Sequence, residues 1–284
     1  MAVGSERIAL IDADVVAYHA AFSAETPLNW GSGLWTLHAW EDDVRARVID
    51  EIELIIERCE ASDVVLALSH GKNWRKDVLP DYKANRSNQR KPMLLKFARQ
   101  FLKSNYPTEV WPNLEADDLL GILATSPDYY RDENPIIVSI DKDLSQIPGR
   151  HLRYDKENDQ DWIEEITEEQ GDRLHMIQTL SGDPVDNYSG CPGIGDTKAQ
   201  QIVDNPTRIE PVTETIKSGK NKGQERTRWK ETGPAESVWE AVLCRFRKAG
   251  LTEDEALQQA RVAKILRAED YDMDKGEVIL WNAK

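Results

Sequence analysis

The chain has 284 residues, of which 40% are hydrophobic and 31% are charged, and its formal net charge is −15. This length fits one large globular domain or two, and the acidic balance argues against a protein that coats nucleic acid without specificity. The sequence shows no membrane-length apolar run, no secretory signal and only three scattered cysteines, so we expect a cytoplasmic protein with reduced thiols and no zinc site.

Strand-like and helix-like segments alternate through the first 180 residues. The predicted strands are short apolar runs rich in β-formers, at 7–12, 63–69, 109–111, 135–140, 152–155 and 161–163. The predicted helices lie at 14–24, 41–60, 93–103, about 115–123 and 168–180. Residues 25–40 contain a proline, two glycines and three tryptophans, which we interpret as a loop. The alternation predicts an α/β fold with a mostly parallel central sheet, helices on both faces, and function at the carboxyl ends of the strands.

The composition changes after Ser181, where glycines cluster and helical patterns then dominate. We therefore predict a catalytic α/β domain at 1–180 and a smaller helical part at 181–284, with helices at 236–248 and 252–267. Residues 205–235 contain proline, glycine and a basic run, which indicates a long loop or a hairpin insertion.

Positive charge is concentrated in two segments. Ten Lys or Arg lie from Lys72 to Lys103 against two acids, and six lie from Lys217 to Lys230 against Glu225 alone. Basic segments beside acidic clusters fit a metal-dependent enzyme that acts on a polyanion, and a solvated charged surface is the alternative for each.

Four groups of acidic residues follow or interrupt apolar runs. They are Asp12; Glu115, Asp117 and Asp118; Asp141 and Asp143; and Asp183 and Asp186. Acids at the ends of several core elements indicate one shared site for hard divalent cations. Helix capping is the alternative for the first two groups, because a helix N-terminus favours negative charge.

The pair Asp12 and Asp14 has a further interpretation. An Asp-x-Asp after a strand also fits a haloacid-dehalogenase-type phosphatase, in which the first Asp is the nucleophile. The segment YKANR argues against it: Lys83 and Arg86 share a helical face and could hold one phosphate, while Tyr82 could stack on a base. An exposed basic helix is the alternative.

The segment GCPGIGDTKA, which begins at Gly190, is the most specific motif. A glycine turn before a helix presents backbone N–H groups to an anion such as a DNA phosphate. Its spacing matches neither a Rossmann nor a Walker loop, and a plain glycine-rich turn is the alternative.

The ordered motifs IDAD, YKANR, EADD, DKD, GDPVDN and GCPGIGDTKA resemble the 5′-nuclease superfamily, which includes flap endonucleases and the 5′-nuclease domain of bacterial DNA polymerase I. The likeness runs from Ile8 to Trp281, and it looks strongest to the 5′→3′ exonuclease of short-tailed bacteriophages. It implies a metal-dependent 5′→3′ exonuclease on double-stranded DNA with a 5′ end or flap, with RNA–DNA hybrids as further substrates. It also implies a PIN-like fold, two Mg²⁺ or Mn²⁺ ions, and a monomer in the host cytoplasm without membrane contact.

The resemblance also implies site residues. The eight acids of the four groups match the metal ligands. Tyr82, Lys83 and Arg86 match the catalytic part of a helical arch at about 72–103, where Arg75 and Lys76 are expected to contact DNA. The helix–two-turn–helix, in which relatives can hold K⁺, corresponds to Gly190, Gly193, Ile194, Gly195, Thr197 and Lys198. Lys220 and Lys222 of the insertion are expected to contact DNA as well.

One position departs from the family pattern. The family usually has an Asp ligand after the second strand, where this chain has Ser69 and His70. His70 could replace it, since imidazole suits Mn²⁺ better than Mg²⁺; the site could also do without it, or the alignment could slip by one or two residues. A catalytically silent DNA-binding protein and a PIN-type ribonuclease remain as alternatives from other classes.

Overall fold

Strand β1 (Ile8–Asp12) lies inside a six-stranded sheet in the computed structural model, which describes residues 7–130, 135–153 and 162–283. The other strands of this sheet are β4 (Asp63–Ala67), β5 (Thr108–Glu109), β6 (Ile136–Val138), β7 (Gly149–Arg153) and β8 (Trp162–Ile166). Their order is β5-β4-β1-β6-β7-β8, and all neighbours are parallel except β7 and β8. The predicted mostly parallel sheet is confirmed. The predicted strands at 152–155 and 161–163 fall partly outside the described residues.

Helices cover both faces of the sheet, and its central strands β1 and β6 are buried at every position. The covering helices are α1 (Ala13–Ser23), α2 (Glu41–Cys59), α4 (Leu95–Asn105) and α5 (Ala116–Thr125). Ala9 and Ile11 of β1 pack with α1, α2 and α4 in one core cluster. Leu10 lies between them in the sequence and is also buried. Its side chain points to the opposite face of the sheet, where α5 packs against β1, β4 and β6.

The predicted loop at 25–40 is wrong: the segment forms an antiparallel hairpin of β2 (Thr26–Gly31) and β3 (Leu34–His38). The pairing runs from Thr26 opposite His38 to Gly31 opposite Leu34, and Trp30 Nε1 donates a hydrogen bond to Thr36 Oγ1 (2.7 Å). The proline and the glycines that suggested a loop are compatible with a hairpin, since the glycines lie at the turn with positive φ. The side chains of Trp30 and Trp35 are about 60% exposed (61% and 59%).

The segment predicted as the arch contains little regular helix before α4. Helix α3 is a single turn (Arg75–Val78), and a 3-10 turn spans Ala84–Arg86. The prediction of a helix at 93–103 is confirmed, displaced by two residues.

The later elements are mainly helical. They are α6 (Glu168–Ser181), α7 (Asp196–Asp204), the hairpin strands β9 (Thr207–Thr215) and β10 (Glu225–Pro234), α8 (Val238–Lys248), α9 (Glu253–Ala263) and the short strands β11 (Tyr271–Asp272) and β12 (Glu277–Val278). Of the two forms predicted for 205–235, the hairpin is the one observed. Helix α9 ends four residues before the predicted position, and its capping residue Thr252 was predicted as the start.

The chain divides into two compact units. The first comprises Met1–Trp74, Asn88–Gly171 and Ile265–Ile279, and the second comprises Arg75–Ser87, Asp172–Lys264 and Leu280–Lys284. The main junction is therefore nine residues before the predicted boundary at 180, and part of the predicted arch belongs to the second unit. Among the described residues, no helix is long and apolar enough to cross a membrane.

Candidate functional site

Two of the predicted acidic ligands lie at the carboxyl ends of neighbouring parallel strands. Asp12 ends β1 and is buried, and Asp141 follows β6 and is exposed. Ser139 connects them: its hydroxyl donates to Asp12 Oδ2 (3.3 Å) and accepts a hydrogen bond from the Asp141 backbone N–H (3.1 Å). Ser139 thus links the carboxylate of Asp12 to the backbone of Asp141, which is 129 positions away in the chain.

Asp12 also caps a helix. Its Oδ1 accepts hydrogen bonds from the backbone N–H groups of Asp14 (3.1 Å) and Val15 (3.4 Å) at the start of α1. The capping alternative and the site prediction are therefore compatible, because the cap uses one carboxylate oxygen and Ser139 orients the other.

The carboxylate of Asp14 is held by contacts with Arg99 and Ser69. It forms an ion pair with Arg99, and its Oδ2 accepts a hydrogen bond from the backbone N–H of Ser69 (2.9 Å). Arg99 Nη2 also donates to the Ser69 carbonyl (2.6 Å), and burial lowers the pKa of its guanidinium. With Asp14 engaged in this way, Asp12 lacks the second acid that a phosphatase nucleophile would use.

The chain after β6 forms a 3-10 turn, which determines the arrangement of Asp141 and Asp143. An extended chain would direct both carboxylates to one face. Instead, Asp141 caps a 3-10 turn (Lys142–Gln146), and its Oδ1 accepts a hydrogen bond from the Asp143 backbone N–H (2.9 Å). The two acids remain on adjacent parts of the same turn.

The three acids at the start of α5 differ in environment. Glu115 is the N-cap, so it precedes the helix, and Asp117 is half-buried. Asp118 is 0% exposed; its carboxylate accepts hydrogen bonds from Trp74 Nε1 (3.0 Å) and from the backbone N–H of Leu266 (3.2 Å). Asp118 therefore joins two other segments to α5. Of the three acids, Glu115 and Asp117 are the more accessible.

His70 lies in a loop hydrogen-bonded to the segment before α5. Its Nδ1 accepts from the backbone N–H groups of Lys72 (3.2 Å) and Asn113 (3.1 Å), and the Ser69 hydroxyl accepts from the Ala116 N–H (2.9 Å). A neutral imidazole with an accepting Nδ1 carries its proton on Nε2. In this tautomer neither ring nitrogen is free to bind a metal ion, so the geometry disfavours His70 as a ligand.

The oxygen donors are of the type that hard divalent cations select. Within the described ranges, however, no three His, Cys, Asp or Glu side chains are gathered closely enough to hold one ion. The carboxylates fit such a cation in chemistry, and binding requires them to reorient.

The predicted arch residues meet at a carboxylate of the second unit. Asp186 accepts a hydrogen bond from Tyr82 Oη (2.7 Å), and it forms ion pairs with Lys83 Nζ (3.4 Å) and Arg86. Lys83 has positive φ (55°), and its backbone N–H donates to the Asp186 carbonyl (2.9 Å). Lys83 and Arg86 were predicted to share a face and to hold one anion, and here that anion is Asp186.

Two arch residues are less accessible than predicted. Tyr82 is 3% exposed and packs in a cluster with Tyr188 and Val262, so its ring is not presented for stacking on a base. Arg75, also 3% exposed, donates to the carbonyls of Val262 (3.0 Å) and Lys264 (2.6 Å). The DNA contact of Arg75 stays a prediction, and in the structure these donors of Arg75 are directed to backbone carbonyls. Lys76 is exposed.

The glycine turn before α7 is shaped by close backbone approach. Gly182 and Gly190 both have positive φ, and a Cβ on Gly190 would lie 2.3 Å from the Gly182 nitrogen. Asp183 pairs with Tyr188 across this turn, and its Oδ1 accepts from the Val185 N–H (2.7 Å). Burial raises the pKa of the Cys191 thiol to about 11.

The rest of the motif leads into α7. Gly195 is the N-cap of α7, Gly193 has positive φ, and Ile194 is buried. Thr197 and Lys198 are exposed in the first turn, where Lys198 Nζ donates to the Gly193 carbonyl (3.2 Å). The turn thus leaves an exposed helix N-terminus, as the motif predicted.

Sequence reasoning missed three side chains that organise the acids. Ser139, Ser69 and Arg99 each contact a carboxylate or the backbone next to one. Ser139 lies two residues before Asp141, near the end of the apolar run at 135–140. A polar residue at that place in the sequence was a usable signal for its role. The other two depend on contacts between distant segments.

The chain is similar to known nucleases over almost all of its length. The family model described as 5′-3′ exonuclease, N-terminal resolvase-like domain, matches residues 7–171. The exodeoxyribonuclease of Enterobacteria phage T3 is 35% identical over 290 residues, covering 98% of this chain and 93% of that protein. The exonuclease of Escherichia phage T7 is 36% identical over 287 residues, covering 96% and 93%.

Solved structures agree in fold. The T5 5′-exonuclease with bound zinc matches with a TM-score of 0.53 at 17% identity, covering 70% of this chain and 75% of that one. A T5 flap endonuclease complex with DNA and metal ions matches with a TM-score of 0.56 at 13% identity, covering 92% and 89%. At these identities the likeness concerns the fold alone.

Proposed function

The chain belongs to the 5′→3′ exonuclease family, and from this premise we propose that it is a metal-dependent 5′→3′ exonuclease that hydrolyses DNA. The observation that carries the proposal is at the carboxyl edge of the sheet, where Ser139 hydrogen-bonds the Asp12 carboxylate and the backbone N–H of Asp141. The phage T3 and T7 relatives, named exodeoxyribonuclease and exonuclease, align over nearly the full chain.

The acids of the first unit would hold the divalent ions. The proposed ligands are Asp12, Glu115, Asp117, Asp141 and Asp143, while Asp118 and His70 are assigned structural roles because of the contacts described above. When bound, Mg²⁺ or Mn²⁺ supplies a hydroxide from water and stabilises the leaving oxygen. Ser139 fixes the orientation of Asp12, and the cap on α1 keeps its other oxygen in place.

The second unit supplies cations for a phosphate. Lys83 and Arg86 converge on the Asp186 carboxylate, which has the charge and the oxygen geometry of a phosphate edge. We infer that a scissile phosphate competes with Asp186 for these two side chains and gains their charge in the transition state. Asp183 and Asp186 remain predicted ligands on the strength of the resemblance.

The finer features of the proposal concern substrate and assembly. We propose double-stranded DNA with a 5′ end or flap as the substrate, hydrolysis of RNA in a hybrid as an accessory activity, and K⁺ at the glycine turn of Gly190–Lys198. We further propose a monomer that acts in the cytoplasm of the host cell. The phage T3 relative, named exodeoxyribonuclease, supports the DNA substrate.

The test is a denaturing gel of linear duplex labelled at either end, incubated with Mg²⁺, Mn²⁺ or EDTA. We expect metal-dependent release of the 5′ label as small products and its loss in Asp12→Asn, while Asp50→Asn on the exposed side of α2 stays active. Duplex that is bound but never cut would favour the silent DNA-binding protein. Hydrolysis of a generic phosphate ester without attack on DNA would favour the phosphatase.

A further inference from the structure

The β9–β10 hairpin is a long two-stranded ribbon attached to the second unit at its base. Nine residues of β9 span about 30 Å. At the base, Arg245 of α8 donates to the carbonyl and hydroxyl of Thr207, Arg208 pairs with Glu240 (3.8 Å), and Ile209 is buried. Beyond these contacts the exposure of the ribbon rises toward its tip, so the base is fixed and the distal half is accessible.

The charges of the ribbon shaft are largely neutralised within the hairpin. Arg226 and Lys230 share a face with Glu214 and Glu210 by the strand register, and both pair with Glu214. Because Arg226 and Lys230 form ion pairs with an acid of the same ribbon, they add little positive electrostatic potential for an external ligand.

The tip, defined as residues 216–224, is different. The tip lysines, Lys217, Lys220 and Lys222, are exposed, and within the described part of the chain none forms an ion pair. No acidic residue lies between Glu214 and Glu225. Hydrogen bonds from Ile216 N to the Gln224 carbonyl (2.9 Å) and from Lys222 N to the Gly219 carbonyl (3.1 Å) order the tip backbone. Three uncompensated cations are thus held on an ordered turn in a chain of net charge −15.

We propose that this tip binds the phosphate backbone of double-helical DNA, with the ribbon entering a groove. A two-stranded ribbon fits the major groove, which is about 12 Å wide, and lysines at its end reach the phosphates on either side. The small residues of the tip, Ser218, Gly219 and Gly223, allow close approach of the backbone to the duplex. The inference rests on the proposed function, since it assigns to the same enzyme a second contact with its DNA substrate that is remote in sequence from the acids and the arch.

The contact has a measurable electrostatic signature. Each phosphate neutralised by a lysine releases condensed counterions, so the slope of log K against log salt steepens by about 0.9 per contact on B-DNA. Loss of three contacts therefore makes the slope shallower by about 2 to 3.

The experiment measures duplex affinity by fluorescence anisotropy in EDTA across a salt series. The variant Lys217→Gln/Lys220→Gln/Lys222→Gln is compared with Arg47→Gln/Lys248→Gln/Lys275→Gln, which removes the same charge from exposed positions elsewhere. We expect the first variant alone to show the shallower slope, with a larger effect on duplex than on a single strand of equal length. Both variants should keep the wild-type melting temperature.

The groove contact would be overturned if wild type and the tip variant had equal salt slopes. It would also be overturned if the salt slope became shallower by the same amount in the tip variant and in the control variant. An effect of the same size on single strands would overturn it as well. If the wild type degrades DNA while the slopes agree, the hairpin inference fails and the proposed function stands. If the slopes differ but no preparation cuts DNA, the proposed function fails and the tip remains a DNA contact.

Discussion

At the scale of single residues, Ser139 is the group on which the arrangement of the acids depends. It is buried, and it hydrogen-bonds both Asp12 and the backbone of Asp141. A hydroxyl in this position selects one rotamer of the Asp12 carboxylate and fixes where the chain turns after β6. We therefore treat it as a positioning residue that acts through the two acids.

Ser139→Ala should raise the divalent-ion concentration needed for half-maximal cleavage by about 10- to 100-fold, the usual effect of removing a group that orients a ligand. A metal titration of the nuclease rate measures this. Ser62→Ala, which removes a hydroxyl bonded to the Arg7 carbonyl, is the matched control. An unchanged metal requirement together with a lower melting temperature would reduce Ser139 to a packing role.

The cations around Asp186 allow a second residue-scale prediction. Lys83→Ala combined with Arg86→Ala should lower the maximal cleavage rate by about 10²- to 10³-fold or more, while duplex affinity falls far less. Single-turnover kinetics and anisotropy on the same substrate separate the two quantities, and Lys248→Ala serves as the control for loss of an exposed cation. Equal losses in rate and affinity would make these residues simple docking contacts.

Residue identity was easier to predict from sequence than residue environment. The carboxylates at the ends of β1 and β6 follow from the strand pattern, since parallel strands place their carboxyl ends together. The burial of Asp118 does not, because it depends on Trp74 and on Leu266, 148 positions away. The hydrogen bonds that His70 accepts from a distant loop were equally hidden.

At the scale of elements, the accuracy of the sequence prediction depended on packing. The strands β1, β4 and β6 are buried on both faces and were found as apolar runs. The β2–β3 hairpin was missed because it pairs only with itself and has exposed tryptophans, so no alternation of buried and exposed positions marks it. The sequence did not predict the 3-10 turn after β6. The spacing of Asp141 and Asp143 is equally compatible with an extended chain and with a turn.

The glycine turn gives a prediction for the stability of an element. Gly190→Ala should lower the free energy of unfolding by roughly 2–5 kcal/mol, because positive φ strains alanine and its Cβ would overlap the backbone at Gly182. Gly193→Ala has the same backbone strain without the overlap, since no atom lies within 4 Å, so it should cost about 1–2 kcal/mol. Urea unfolding of both variants tests the difference, and equal losses would show that overlap contributes nothing.

At the scale of the whole molecule, a buried histidine links stability to pH. Burial lowers the pKa of His151, whose Nε2 lies 2.8 Å from the Ile147 carbonyl. The unfolded chain therefore binds more protons below about pH 6.5, and the native state loses stability as the pH falls toward the folded pKa. The loss is about 1.4 kcal/mol for each unit by which the pKa is lowered.

We expect His151→Gln to reduce the loss of unfolding free energy between pH 7 and pH 5.5, as measured by urea titrations at each pH. His38→Gln on the β2–β3 hairpin is the comparison, because it removes an imidazole from outside the six-stranded sheet. Identical pH profiles for wild type and His151→Gln would assign the acid sensitivity to other groups.

The division into units also shows what a linear sequence conceals. A change in composition near Ser181 indicated a boundary, and the main junction lies close to it. The return of Ile265–Ile279 to the first unit was not foreseen, because it depends on contacts with α5 such as those of the Leu266 and Ala268 N–H groups, which donate to the side chains of Asp118 and Thr125. Such contacts leave no periodicity in the sequence.

The two ends of the β9–β10 ribbon meet at its base, where Thr207 pairs with Pro234 and the Ala235 N–H donates to the Pro206 carbonyl (3.0 Å). A segment whose ends are adjacent in space can enter or leave a gene in one event without redirecting the chain on either side. Lineages that lack it should therefore show one contiguous gap in an alignment, with the flanking helices unshifted. The ribbon can in this way vary in length independently of the nuclease fold that carries it.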